Sequence, residues 1–453
     1  MNLFRQIKNS FSSSLGSFDH GVHPSHHKGQ TEKLAIQRLP FGKRFVIPLG
    51  QHIGAPASPI VKAGDAVKRG QMIAEPGGFV SVALHSPVTG RITAIGQERY
   101  ADGTFRDAIV IEADQYDSQQ MEVNPIEWEN LSTEEFIDEV QKAGIVGMGG
   151  AAFPCHVKYA IPDGHNIRYL LINGAECEPY LTNDHRQMLE QTEELLYGAE
   201  IVRQKLGAEE IVIGVEENKP DAVKALRDAI KPGQPVRVVP LEVKYPQGAE
   251  KMLIKSVFGI EVPAGKLPRD VQVGVNNVGT IIAIAEYFQT GKPLIERVVT
   301  VSGPGVTYPA NLIVPLGTPI REVLDFAGGL REETRQVVLG GPMMGDSISD
   351  LDAPMMKGSS GVLALTENET GRPQEYNCIR CGRCVEACPY FLNPARFARL
   401  AKSRMFEEMA ESYHVMDCVE CGCCTYSCPS GIPIVQHIRT AKDHLRSMKG
   451  KVQ

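Results

Sequence analysis

The chain has 453 residues, 42% of them hydrophobic and 22% charged, with a formal net charge of −7. That length is too great for one hydrophobic core and predicts three or four domains. The acidic balance argues against nucleic-acid binding, which leaves a basic footprint. No apolar stretch reaches the ~18 residues of a membrane span, and the N-terminal segment lacks the apolar core of a secretory signal. The expectation is a cytoplasmic chain, held at a membrane only through partners.

In chain order, residues 1–30 are rich in Ser and His and read as a flexible tail. Within it His20, His23, His26 and His27 offer either a metal site or a solvated, irregular segment. Residues 31–115 show short strands broken by Gly and Pro, as at 61–71 and 85–91. This region resembles the barrel-sandwich fold of lipoyl and biotinyl carrier domains. Those carriers need a lysine at a hairpin tip, and the corresponding position lies near Phe79, so a non-carrier, structural domain is expected. Over 130–292 the pattern becomes alternating helix and strand. Ser132 and Glu135 form a capping box, apolar strands are expected at 169–172, 211–215 and 236–239, and the stretches 181–206 and 221–230 read as helices. Such alternation implies a parallel sheet covered by helices. Residues 296–366 form a compact segment with β-rich ends and a helix-like run at 320–326. The remainder, 370–447, is the cysteine domain.

Nine of the eleven cysteines fall between Cys378 and Cys428, which points to metal ligation rather than a disulfide framework. Cys378, Cys381, Cys384 and Cys388-Pro389 form a C-x-x-C-x-x-C-x-x-x-C-P run, and Cys418, Cys421, Cys424 and Cys428-Pro429 repeat it. Three thiolates from one tight loop reach three irons of a cubane, and the fourth, set back, reaches the other cluster. One [4Fe–4S] cluster is therefore assigned to Cys378, Cys381, Cys384 and Cys428, and a second to Cys418, Cys421, Cys424 and Cys388. Structural zinc does not account for the doubled spacing. The exchange ties both halves into one folding unit, so loss of either fourth Cys is expected to damage both clusters. Cys423 breaks the spacing and reads as a bystander. Asn393-Pro394 signals a helix start, and helical spacing continues through Phe397, Leu400, Met405 and Met409 and later through Ile434, Ile438, Ala441 and Leu445.

Gly144-Ile145-Val146-Gly147-Met148-Gly149-Gly150-Ala151 is either a phosphate-approaching loop or a plain tight turn. The next strand ends in Asn173-Gly174-Ala175-Glu176-Cys177-Glu178-Pro179, which suits recognition of a polar ring or ribose at a strand's carboxyl end. These residues, with Tyr245-Pro246-Gln247-Gly248-Ala249-Glu250 and Val275-Asn276-Asn277-Val278-Gly279-Thr280, resemble the flavin-bearing NADH-dehydrogenase subunit of respiratory complex I. The order of all parts resembles more narrowly the RnfC family, the C subunits of the Rnf ion-translocating ferredoxin:NAD⁺ oxidoreductase (electron transport complex). The fold implied is a multidomain α/β and α+β one: an N-terminal β barrel-sandwich, a Rossmann-like α/β FMN/NAD(H) domain, a β-grasp (soluble-ligand-binding-like) domain and a helical two-cluster ferredoxin-like domain.

The resemblance implies two [4Fe–4S] clusters and FMN as cofactors and NAD(H) as substrate. It implies that Gly147, Gly149 and Gly150 meet the FMN phosphate and ring edge, that Lys158 supplies a positive charge, and that Asn173, Asn276 and Asn277 hydrogen-bond FMN. Glu176, Glu178 and Glu250, in the catalytic role, face the flavin and the nicotinamide ribose. Phe153 stacks on the nucleotide and Lys266 sits near it. Read from the residues alone, Phe153 is equally a core side chain and Asn276-Asn277 equally turn residues. The complex I pattern has Gly where Ala152 stands and acids where Ala175 and Ala249 stand. The implied activity is electron transfer between NAD(H), FMN and the clusters. The implied partners are the other membrane and iron–sulfur subunits of an Rnf-type complex, with ferredoxin reached through it, at the cytoplasmic face of the cell (inner) membrane. Two other readings stand beside it: a cobalamin reductase of a bacterial microcompartment, and a non-catalytic iron–sulfur relay protein.

Overall fold

The structure is a computed structural model that describes residues 15–121, 124–371 and 374–450. The N-terminal sandwich pairs a four-stranded antiparallel sheet (Arg44–Pro48, Phe105–Ala113, Gly90–Arg99 and Ala66–Val67) with a three-stranded one (Ser58–Pro59, Met72–Glu75 and Leu84–His85). Phe45, Ile47, Ile73, Leu84, Ile92, Ile109 and Ile111 fill the space between them. The loop near Phe79 docks on the next domain, its carbonyl 2.7 Å from His156 Nε2.

The central domain holds four parallel strands in the order Val236–Leu241, Glu210–Glu216, Tyr169–Gly174 and Val273–Asn277. Leu170, Leu171, Ile172, Ile211, Val212 and Ile213 are fully buried, the near-continuous apolar run of strands covered on both faces. The capping box forms, with Glu135 N–H donating to Ser132 Oγ and Ser132 N–H to Glu135 Oε2. The helix expected over 181–206 is two helices, Asn183–Glu190 and Thr192–Leu206, broken at Gln191. Strand Tyr169–Gly174 is the first in sequence and has later strands on both sides. Its carboxyl end is therefore the switch point where crevices open in such sheets.

A six-stranded mixed sheet follows, in the order Ile36–Arg38, Ala310–Pro315, Glu296–Ser302, Gly361–Thr366, Thr334–Leu339 and Asp346–Ile348, with helix Ile320–Phe326 beside it. Its first strand comes from the segment expected in the sandwich. Asn311, buried, draws that segment in by donating to the carbonyls of Thr31 and Leu34.

Residues 15–30 are not a loose tail. Phe18 and Val22 are buried, Gly16 bridges to Leu241 and Val22 to Tyr245, and the Lys28 side chain is buried. The histidine rings go to separate partners: His20 to the Glu386 carbonyl, His23 to the Val243 carbonyl, and His27 stacked on Tyr180. Residues 1–14 of the expected tail lie outside the described residues.

The cysteine domain repeats its backbone as well as its spacing. Left-handed residues recur at equivalent places in the two runs: Arg380 and Glu420 at φ +59°, Gly382 and Gly422 at +80° and +87°, Phe391 and Gly431 at +54° and +63°. Helices Pro394–Lys402, Phe406–Glu411 and Ile434–Gly450 close over the runs around Phe397, Leu400, Met409, Ile434 and Ile438. The single helical run expected between the cysteine runs is broken at Arg404, whose φ is +55°.

Candidate functional site

The glycine segment forms a closed loop beside the switch point. Gly147 N–H donates to the Phe153 carbonyl at 2.8 Å and Cys155 N–H to that of Ile145 at 3.1 Å, leaving Gly149 and Gly150 exposed at the tip. A Cβ on Gly149 would lie 3.0 Å from Asn277 Nδ2, whereas one on Gly150 would meet nothing within 4 Å. Ala152 takes φ +53°, the region that favours glycine, so this position has the backbone that a glycine would adopt most readily. Two buried cations hold the loop from beneath. Lys357 Nζ donates to the carbonyls of Gly144 and Ala83, and Arg297 donates to those of Met148 and Lys357. Burial lowers both, Lys357 to about 7 and Arg297, opposed by the charge of Asp184, to about 10.

The three asparagines meet at the carboxyl ends of adjacent strands, Asn277 being in register with Asn173. Asn173 bonds the Gly248 carbonyl and the Ala175 N–H, tying the strand end to the Tyr245–Glu250 loop. Asn277 caps helix Val278–Thr290 through the Gly279 N–H and donates to Asp184. Asn276 accepts from Tyr159 O–H at 2.9 Å, while its Nδ2 is buried without a hydrogen-bond partner among the described residues. The orphaned Asn276 amide suits a planar polar ring, and the exposed glycine tip beside Asn277 suits a phosphate. Lys158 pairs with Glu250 at 3.2 Å, both partly exposed, Phe153 is partly buried, and Lys266 is exposed.

Glu176 and Glu178, expected to face a ligand, turn their carboxylates onto backbone. Glu176 accepts from the N–H groups of Asp184 and His185 at the start of a helix, and Glu178 from those of Met343 and Met344. Burial raises each to about 7, opposed by Lys28 for Glu176 and by the two N–H donors for Glu178. Their loop is pinned by two buried lysines: Lys28 donates to the carbonyls of Glu176, Glu178 and Leu181, and Lys219 to that of Ala175. Pinning is needed because Glu176 and Tyr180 have φ of +49° and +68°, a strained backbone at the mouth of the crevice. Sequence reasoning missed Lys28, Lys219, Arg297 and Lys357, since nothing local marks a lysine or arginine as buried.

The thiols fall into two sets. Cys384 is raised first by burial and then by the charges of Cys428, Cys378 and Cys381. Cys424 is raised by burial and then by Cys418, Cys421 and Cys388. The latter four line one cavity with Leu392, Phe397, Val435 and Ile438, a lining of thiols and hydrocarbon that fits an iron–sulfur cluster. Cys423 also borders it, but its thiol donates to the Tyr245 carbonyl at 3.8 Å. Tyr245 in turn donates its O–H to the Cys421 carbonyl at 2.8 Å.

Family profiles match four stretches in this order: "RnfC Barrel sandwich hybrid domain" over residues 16–116, "Nuo51 FMN-binding domain" over 140–286, "SLBB domain" over 298–347 and "4Fe-4S dicluster domain" over 374–432. The chain is 47% identical over 435 residues to the C subunit of the proton-translocating ferredoxin:NAD(+) oxidoreductase complex of Clostridium ljungdahlii, covering 96% of this chain and 95% of that one. It is 43% identical over 440 residues to the C subunit of the Na(+)-translocating ferredoxin:NAD(+) oxidoreductase complex of Acetobacterium woodii, covering 96% and 98%. A crystal structure of a NAD⁺-reducing [NiFe]-hydrogenase superposes with a TM-score of 0.46 at 20% identity, over 70% of this chain and 62% of that one. With relatives this similar along nearly its whole length, the chain belongs to the RnfC family, the C subunits of ion-translocating ferredoxin:NAD(+) oxidoreductase complexes.

Proposed function

We propose that this chain is the NAD(H)-reacting subunit of an Rnf-type complex and passes electrons between NAD(H), FMN and two [4Fe–4S] clusters. One observation carries the reading beyond kinship. The Tyr245 loop of the flavin-type domain lies directly on the second cysteine run, with its hydroxyl on the Cys421 carbonyl and its own carbonyl on the Cys423 thiol. When bound, FMN converts between the two-electron hydride chemistry of nicotinamide and the single-electron chemistry of the clusters.

The chain's own residues supply position. The exposed Gly149–Gly150 tip offers its backbone N–H groups to a phosphate, those of Gly147 and Met148 being taken by the Phe153 carbonyl and Thr280 Oγ1, and Asn276 offers its unpaired amide donor to the ring. The Lys158–Glu250 pair stands at the partly exposed mouth, where a nicotinamide nucleotide enters. The inner cluster is held by Cys418, Cys421, Cys424 and Cys388, against the flavin-type domain. The outer one is held by Cys378, Cys381, Cys384 and Cys428, and the exposure of Cys378 and Cys381 makes it the port for a redox partner. No helix among the described residues is long and apolar enough to cross a membrane. The membrane and iron–sulfur subunits of the complex hold the chain at the cytoplasmic face and deliver electrons from ferredoxin.

Anaerobically purified protein should show a flavin absorption band that bleaches on adding NADH, with cluster absorbance falling in turn. A brown protein that binds no flavin would sink the enzyme reading and leave only a relay.

A further inference from the structure

Residues 16–28 have no core of their own, yet they touch two domains within thirteen residues. Gly16 accepts from Glu242 N–H at 2.9 Å and donates to the Pro240 carbonyl, joining the end of the outermost strand of the central sheet. Val22 and Tyr245 exchange two backbone hydrogen bonds of 2.9 Å each, an isolated antiparallel bridge. Gly21 N–H donates to the Ala387 carbonyl at 3.3 Å, and the His20 ring meets Phe391 edge-on at 4.6 Å. The segment thus grips the loop before Cys388 with one side and the Tyr245 loop with the other. The Val22 side chain is packed in the same apolar cluster as Tyr245, Ala387, Cys421 and Cys423. Lys28 then anchors its far end in the Glu176–Leu181 loop.

We propose that this segment is a strap that sets the separation of the flavin site and the inner cluster, with His20, Gly21 and Val22 as positioning residues for electron transfer between them. The inference rests on the functional reading above. The direct contacts between the two domains at this seam are the Tyr245 hydroxyl, the Cys423 thiol and one small apolar cluster of Tyr245, Cys177, Ala387, Cys421 and Cys423, and interdomain contacts that are not large move unless something ties them. The strap supplies the tie on both sides of the seam. Electron transfer falls off exponentially with distance, so a small displacement slows it without touching nucleotide binding.

Gly21 is the place to test it. Its φ is +80°, and a Cβ there would lie 2.6 Å from the Tyr245 carbonyl oxygen and 3.0 Å from the Phe18 ring, so a side chain must lift the strap. Gly29, just past the strap's far end, has nothing within 4 Å of a built Cβ and serves as the control. In anaerobic stopped flow of full-length protein carrying FMN and both clusters, Gly21→Val should keep the rate of flavin bleaching by NADH. It should slow the following loss of cluster absorbance several-fold. Gly29→Ala should change neither phase. Amide exchange, which needs no flavin, should rise over residues 238–248 and 383–391 in Gly21→Val alone. A cluster phase at the wild-type rate, equal slowing of both phases, or unchanged exchange in those segments overturns the strap. Failure of NADH to bleach the wild-type flavin counts against the functional reading instead, and exchange still judges the tie.

Discussion

The first cysteine run lies open, with Cys378 and Cys381 exposed and Ile379 between them 68% exposed. The second run is packed beneath the Tyr245 loop, with Cys421, Cys423 and Cys424 all buried. The two share their ligand spacing and their left-handed residues, so spacing and backbone decide what is bound and not what it is bound for. Environment separates them. Where the first run carries the exposed Arg380, the second carries Glu420, paired with Lys442 at 2.7 Å and Arg439 at 3.3 Å. A cluster's potential answers to local charge, hydrogen bonds and solvent access, so the same ligand spacing here sits in two different environments, as the proposed inner and outer stations require.

The sharpest way to break that contrast is to remove the exchanged ligands one at a time. Cys388→Ala takes a thiol from the cavity shared by Cys418, Cys421 and Cys424. It should abolish cluster reduction by NADH while leaving flavin bleaching intact. Cys428→Ala should keep an inner cluster that NADH still reduces, with iron content falling by about half. Iron analysis and EPR before and after NADH distinguish the two. An intact inner cluster in Cys388→Ala would show that the ligands are not exchanged. Because both runs pack on one core through Cys384 and Cys424, some loss at the untouched site is expected in each variant and should be larger for Cys388→Ala.

A smaller effect separates the lysines at equivalent places behind the runs. Lys442, its side chain 6% exposed, donates to the Cys418 carbonyl and to Glu420, both at 2.7 Å. Lys402 pairs with Glu375 on the surface, its side chain 49% exposed. Lys442→Met strands the part-buried Cys418 carbonyl and the Glu420 carboxylate and should cost about 1–3 kcal/mol. Lys402→Met should stay within about 0.5 kcal/mol, as exposed pairs do. Denaturant midpoints of the loaded proteins measure both, and equal losses would mean that the runs are braced alike.

Much of this was legible because it is local. The capping box of Ser132 and Glu135, the strand positions and the doubled cysteine spacing each express a preference within a few residues. The resemblance carried the domain order. What escaped was spent at long range. Lys28 lies 148 residues from Glu176 in sequence, and without that contact the stretch around it reads as a tail. The resemblance implies that Asn173, Asn277, Glu176 and Glu178 face a cofactor or nucleotide. The fold uses their polar groups to close loops and cap helices, and leaves Asn276 with the spare donor. Ala152 counted as a departure by residue type, but only its φ of +53° reveals that the position takes a conformation that favours glycine.

That same conformation gives the finest comparison of the two runs. Arg380 and Glu420 both sit at φ +59°, where a side chain costs roughly 1–2 kcal/mol relative to glycine. Glycine would remove that strain in either run and lose part of the gain to the greater entropy of the unfolded chain. Arg380 is exposed, so Arg380→Gly should stabilise the protein by about 0.5–1 kcal/mol. Glu420→Gly relieves the same strain but leaves Lys442 buried beside the Cys418 carbonyl with its carboxylate gone. The loss of a buried charged hydrogen bond outweighs the relief, and a net cost of about 1–2 kcal/mol is expected. Thermal midpoints of the two variants should therefore move in opposite directions. If both rise, Glu420 is held by the turn alone, and the ion pairs that distinguish the inner station do not stabilise it.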